Sequence, residues 1–137
     1  MQVAYVSSDE LPKKTGVERH NKSFEIANND FLTTVQPTPS HLWIVSAEGG
    51  VWRRLTSGAW TLPISFPLSP PAAPLSWTRD GKSVVIVKVA SPYSGDFAKA
   101  SVQVLDVAAG TMRALTGRSR QESFLLVSAR GKFEECD

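Results

Sequence analysis

The sequence predicts an all-β chain, and three observations carry that reading. No segment sustains the 3.6-residue apolar period of an amphipathic helix. From Trp77 to Thr116 the chain instead offers four short strand-like runs in succession, separated by turn residues. The third observation is a repeat. When Leu42–Thr56 is laid on Val102–Thr116 without a gap, Ile44 falls on Val104, Val45 on Leu105, Gly50 on Gly110, Arg53 on Arg113 and Leu55-Thr56 on Leu115-Thr116. Both copies run strand, Gly-containing turn, strand, and a recurring unit of this kind is the mark of a repeat architecture. Four-stranded units that recur and bury both faces point to a partial β-propeller of about two antiparallel blades.

Taken in order, Val3-Ala4-Tyr5-Val6 is a short strand, similar in character to Val84–Val87. It reads as the second strand of a blade whose first strand is missing. Residues 7–40 form a polar insertion carrying Lys13, Lys14, Glu18, Arg19, His20 and Lys22, with Phe24-Glu25-Ile26 as a candidate short strand and Asn28-Asn29-Asp30 as a turn. Asn21-Lys22-Ser23 matches the glycosylation sequon, a three-residue pattern that chance supplies often. Pro37-Thr38-Pro39-Ser40 breaks the chain before a strand at His41–Ser46, whose hairpin partner is Val51–Leu55. Residues 41–56 thus end the first blade.

Residues 57–74 form an inter-blade loop that includes Pro63, Pro67, Pro70, Pro71 and Pro74. Its PxxP spacing also suits an aromatic-grooved partner, but a stiff connection is the preferred reading. Residues 75–116 make the complete blade. Asp80-Gly81 is its hinge, because Gly accepts positive φ and Asp bonds its own backbone. Trp77 precedes that turn as a flat side chain able to pack on a neighbouring sheet. Val84-Val85-Ile86-Val87 does not alternate with polar residues, as expected of a strand buried on both faces. Strands are expected near residues 3–6, 41–46, 51–55, 75–78, 83–89, 101–106, 111–115 and 123–127. Residues 117–137 begin a third blade, in which Phe124–Val127 is an orphan strand and Ser128–Lys132 repeats the Gly-Lys of Thr78–Lys82.

Composition narrows the function. With 137 residues, 42% hydrophobic and 20% charged, the chain is one folded domain's worth. A net charge of +2 with scattered cations gives no footprint for nucleic acid. The single cysteine, Cys136, can form neither an internal disulfide nor a metal cluster, so no metal and no cofactor is expected. The first ten residues lack the basic and apolar regions of a signal peptide, and no stretch nears the roughly 18 apolar residues of a membrane span. As written, the chain reads as cytoplasmic and without a membrane partner, or as a piece of something larger.

Leu42-Trp43-Ile44-Val45, Arg53-Arg54-Leu55-Thr56 and Trp77-Thr78-Arg79-Asp80-Gly81-Lys82 resemble the propeller repeats of the prolyl oligopeptidase family of serine peptidases, including its dipeptidyl and acylaminoacyl peptidase branches. They are also similar to the TolB-like propellers. Thr78-Arg79 stands where those families usually have Ser-Pro, and the likeness spans Leu42–Lys132. The peptidase resemblance implies a propeller that caps a hydrolase domain and filters what reaches it. The TolB resemblance implies a protein-interaction module, and a truncated product without independent function is the remaining alternative.

No catalytic residue is expected in this chain. None of its nine glycines forms the Gly-x-Ser-x-Gly elbow of a serine hydrolase, and His20 and His41 precede any nucleophile, whereas the peptidases' catalytic histidine comes last. Asp9-Glu10 and Glu134-Glu135 are sequence neighbours that a strand would point to opposite faces, so they read as solvated. The expected partners are therefore protein: a second copy, or the rest of a propeller and hydrolase, with a peptide substrate in the full assembly. Fewer than two blades should leave the apolar runs Val84–Val87 and Val102–Val107 wet in a lone monomer, which then self-associates or is unstable.

Overall fold

The computed structural model describes residues 1–26, 34–63, 75–93, 96, 100–115, 125–127 and 133–135. Among the described residues the chain is all-β, with a short 3-10 turn at Gly16–His20. Among the described residues, three sheets follow one another along the sequence. The first contains β1 (Gln2–Ser8), β2 (Ser40–Ser46) and β3 (Arg53–Arg54) in that order. The second contains β4 (Leu75–Trp77), β5 (Ser83–Lys88), β6 (Ser101–Asp106) and β7 (Met112–Ala114), an antiparallel meander. The third is a hairpin of β8 (Leu125–Val127) and β9 (Phe133–Glu135).

The sequence repeat is a repeat of backbone register. Trp43 opposes Arg54 and Ile44 opposes Arg53 in the first sheet, and Gln103 opposes Ala114 and Val104 opposes Arg113 in the second. The bond from Leu55 N–H to the Leu42 carbonyl recurs as Leu115 N–H to Val102. β1 takes the place of β5, since Gln2 opposes Ser46 where Ser83 opposes Asp106. The first sheet therefore corresponds to strands β5–β7 of the second and lacks a counterpart of β4 among the described residues.

Period-2 alternation explains the packing. Val84, Ile86, Leu105 and Val107 point from the second sheet into one core with Leu42 and Ile44 of the first, and Ala4, Val6, Leu75 and Trp77 pack against it. Trp77 thus rests on a neighbouring sheet, as its position before the turn suggested. On the other face of the second sheet, Val85 clusters with Val102 and Val104, and Val87 with Val89 and Ala100. Val84, Val85 and Ile86 are all 0% exposed, so β5 is buried on both faces. β8 has Cα atoms within 8 Å of both β4 and β5.

The turn between β4 and β5 is built by side chains as the Asp-Gly pair requires. Asp80 Oδ1 accepts from Thr78 Oγ1 at 2.7 Å and from Lys82 N–H at 3.1 Å, while Gly81 sits at φ 67°. These bonds, the Thr78 hydroxyl first, hold the exposed Asp80 carboxyl below its ordinary pKa.

Several expectations are corrected. Val84–Val87 and Val102–Val107 are not left wet, because the first sheet covers one face and the opposite face is also closed. Ser7, Ser8 and Ser40 belong to strands, because β1 and β2 pair along their full length and shorten the insertion. Phe24-Glu25-Ile26 is not a strand; it finds no ladder partner among the described residues and is largely exposed. β3 begins only at Arg53, since Gly49 and Gly50 at φ 89° and 115° swing Val51 and Trp52 out of the ladder. β8 is not an orphan, because Phe133–Glu135 pairs with it despite its charges. Phe124, Thr116, Cys136 and the prolines from Pro67 to Pro74 lie outside the described residues.

Candidate functional site

The outer face of the first sheet carries what the inner face does not need. Across it, Tyr5 of β1 opposes Trp43 of β2, which opposes Arg54 of β3, so one row sets two aromatic rings beside a guanidinium. Trp52, pushed out by the glycine turn, meets Trp43 edge-on with ring centroids 5.0 Å apart. With Ser7, Ser8, Asp9 and Glu10 these side chains line a groove of about 580 Å³. Trp52 is 60% exposed and Tyr5 37%, so the aromatic surface is open to a partner.

Arg54 organises one end of the groove. Its Nη2 donates to Asp9 Oδ2 at 2.9 Å, its Nε donates to the Thr56 carbonyl at 2.7 Å, and its guanidinium lies 5.6 Å from the centre of the Trp43 ring. Such a partly exposed arrangement, with two donors on two separate acceptors, fixes the side chain more than it stabilises the fold. Trp43 Nε1, beneath it, is the one polar side-chain atom among the described residues that is buried without a hydrogen-bond partner.

His41 lies under the same end and is fully buried, a packing position. Its Nε2 is 3.1 Å from the Gly58 carbonyl, which can only accept, so Nε2 carries the proton. Nδ1 is then the acceptor, 3.1 Å from Thr56 Oγ1. The Thr56 oxygen in turn accepts from Leu42 N–H at 2.9 Å. Trp60 meets the ring edge-on at 5.2 Å. Burial, and then the Arg54 charge, hold His41 below its ordinary pKa of 6.5, against the opposing pull of Asp9 and the Gly58 bond. Asp9 Oδ2, at 3.7 Å from Nε2, is too far to hydrogen-bond. Both ring nitrogens are committed to structure, so His41 has no free nitrogen with which to take a proton from a nucleophile.

The other sequence candidates stand apart from this groove. His20 is exposed on the 3-10 turn and accepts from Arg19 Nε at 2.9 Å. Asn21 of the sequon is turned onto Ser23 and Glu18. Asp9 and Glu10 lie together at the groove but do not form an acid–base pair, because Asp9 is the partner of Arg54. Among the described residues no three His, Cys, Asp or Glu side chains gather where a metal could bind, and no helix is long and apolar enough to cross a membrane.

The groove can bind by aromatic contact and hydrogen bonding. Sequence reading did not single out Tyr5, Trp43 and Trp52 as a group. The available signal was the strand parity, which puts Tyr5 and Trp43 on the face opposite Ala4, Val6, Leu42 and Ile44. No family model, curated protein or solved structure matches the chain.

Proposed function

We propose that this chain is a non-catalytic segment of a β-propeller resembling those of prolyl oligopeptidase-like serine peptidases. Its role is to screen the peptides that reach a hydrolase domain carried outside these 137 residues. The observation that supports the reading is the in-register repeat, β1–β3 over β5–β7, with the two sheets packed face to face. Repeated sheets stacked in this manner bury a continuous core and leave the end sheets in need of further neighbours. Screening is steric and electrostatic, and the bond-breaking groups belong to the hydrolase. The open Tyr5–Trp43–Trp52 surface favours a second reading, a TolB-like interaction module that binds another protein through that face.

An antibody raised to this chain, used with a fluorophosphonate probe on cells of the source organism, tests the first reading. The expected result is a probe-labelled serine hydrolase that either contains this segment or co-purifies with it, while purified residues 1–137 neither label nor turn over peptide or ester substrates. A native protein of 14.9 kDa with no labelled hydrolase attached would overturn it and leave the interaction module. Labelling and turnover by the purified chain would overturn both.

A further inference from the structure

We propose that the His41–Asp9–Arg54 cluster is a proton-operated latch: when the buried imidazole takes up a proton, the Asp9 carboxylate passes from Arg54 to His41 and frees the guanidinium at the end of the groove. The inference rests on the geometry of the cluster and holds under either reading of the function.

The carboxylate stands between two partners. Asp9 Oδ2 is 2.9 Å from Arg54 Nη2 and 3.7 Å from His41 Nε2. Its backbone is held in place, since Asp9 N–H donates to the Pro39 carbonyl at 2.8 Å. Closing the longer distance to a hydrogen bond takes about 1 Å, a movement within reach of the side chain alone. While His41 is neutral the shorter contact prevails. Its Nε2–H is committed to the Gly58 carbonyl, and the ring carries no charge to compete with the guanidinium.

Protonation changes both conditions. Nδ1 turns from acceptor to donor, and the Thr56 oxygen has a second lone pair to receive it beside the Leu42 N–H that it already accepts. The ring then carries a charge at a position that is 0% exposed, and a buried charge needs a counter-charge. Asp9 is placed to supply it through a charge-assisted bond. Arg54 is the partner better able to release the carboxylate, because its side chain is 33% exposed and water can solvate what Asp9 leaves. The other charges on the surrounding elements do not compensate His41. Lys88 of β5 is a cation, 5.0 Å from the centre of the Trp60 ring that packs on the imidazole. Arg53 of β3 donates to the Val107 carbonyl, and Glu10, next to Asp9 in the chain, lines the groove. Burial and then the Arg54 charge hold His41 below its ordinary value of 6.5 while Asp9 opposes them, so the latch opens on the acid side of that value. Once released, Arg54 keeps its Nε bond to the Thr56 carbonyl and presents to the groove the Nη2 donor that Asp9 had held.

NMR on the full chain reads the latch between pH 7.5 and about pH 4.5, which spans the ordinary histidine range and stays above the ordinary carboxylate values. The His41 ring carbon shifts report its protonation. The Arg54 Nη–H signals report the guanidinium, separate when it is pinned and averaged when it rotates freely. In the wild-type chain the separate signals should merge at the midpoint of the His41 titration, and the Asp9 carboxyl carbon should shift at the same midpoint. In Asp9→Ala, a change at a partly exposed side chain, the Arg54 signals should be averaged at pH 7.5 already, and the His41 midpoint should fall by about one unit. Arg54→Gln should move that midpoint upward. Merging at a midpoint other than that of His41, separate signals that outlast its titration, or unfolding before the Arg54 signals merge would each overturn the latch. So would midpoints that fail to move in opposite directions in the two variants.

Discussion

Replacing His41 with Phe separates the hydrogen-bonding role of the imidazole from its bulk. Phe fills a similar volume and can keep the edge-on contact with Trp60, but it offers nothing to the Gly58 carbonyl or the Thr56 hydroxyl. A buried polar group left without its partner costs about 1–3 kcal/mol. Thr56 Oγ1 still accepts from Leu42 N–H, which limits the loss on that side. The expected destabilisation of His41→Phe is therefore roughly 2–4 kcal/mol at pH 7.5. A second signature follows from linkage. His41 is held below its ordinary value of 6.5, so the unfolded chain takes up a proton before the folded chain does. The stability from the neutral buried ring is complete above pH 6.5 and is lost as pH falls from there toward the folded pKa, at no more than about 1.4 kcal/mol per pH unit. Urea unfolding at pH 7.5 and 5.5, with midpoints and slopes compared, reads both effects. The wild-type chain should lose stability between the two pH values, and His41→Phe should lack that component. A variant within 0.5 kcal/mol of wild type, or one that keeps the full pH dependence, would refute a neutral, doubly bonded His41.

Other expectations follow from packing and turn geometry. Ile86→Ala, at a fully buried position between the two sheets, should cost about 2–5 kcal/mol in the same unfolding assay. Gly58→Ala should cost about 1–3 kcal/mol, because Gly58 sits at φ 121° and an added Cβ would stand 3.0 Å from Trp60 Cδ1; a neutral result by thermal melting would count against this turn. At the exposed β4–β5 turn, Asp80→Ala should be less stable than Asp80→Asn, since Asn keeps an acceptor for Thr78 and Lys82; equal melting temperatures would show that these bonds do not hold the turn.

Much of the fold was legible from local chemistry. The Asp80-Gly81 pair needs positive φ and an acceptor side chain, so it marked its turn wherever the strands went. Residues 83–88 and 101–106 were readable because β-branched side chains suit a pleated strand, and the sixty-residue repeat survives as identical register because each hairpin closes through its own short turn. The groove was less legible, since Trp52 reaches Trp43 only through the glycine turn that cut β3 short.

What the sequence could not decide was which apolar surfaces are covered. Val3-Ala4-Tyr5-Val6 and Val84-Val85-Ile86-Val87 are nearly the same text, and local propensity makes both of them strands. The second is closed on both faces and paired on both edges, whereas among the described residues the first has one exposed face and pairs along one edge. Alternation along a strand assigns side chains to faces, but burial depends on which sheets lie above and below, and those contacts join residues far apart in the chain. The same holds for His41, whose environment comes from Thr56, Gly58, Trp60 and Asp9, brought together by the pairing of β1 with β2 and the turn of the chain after β3.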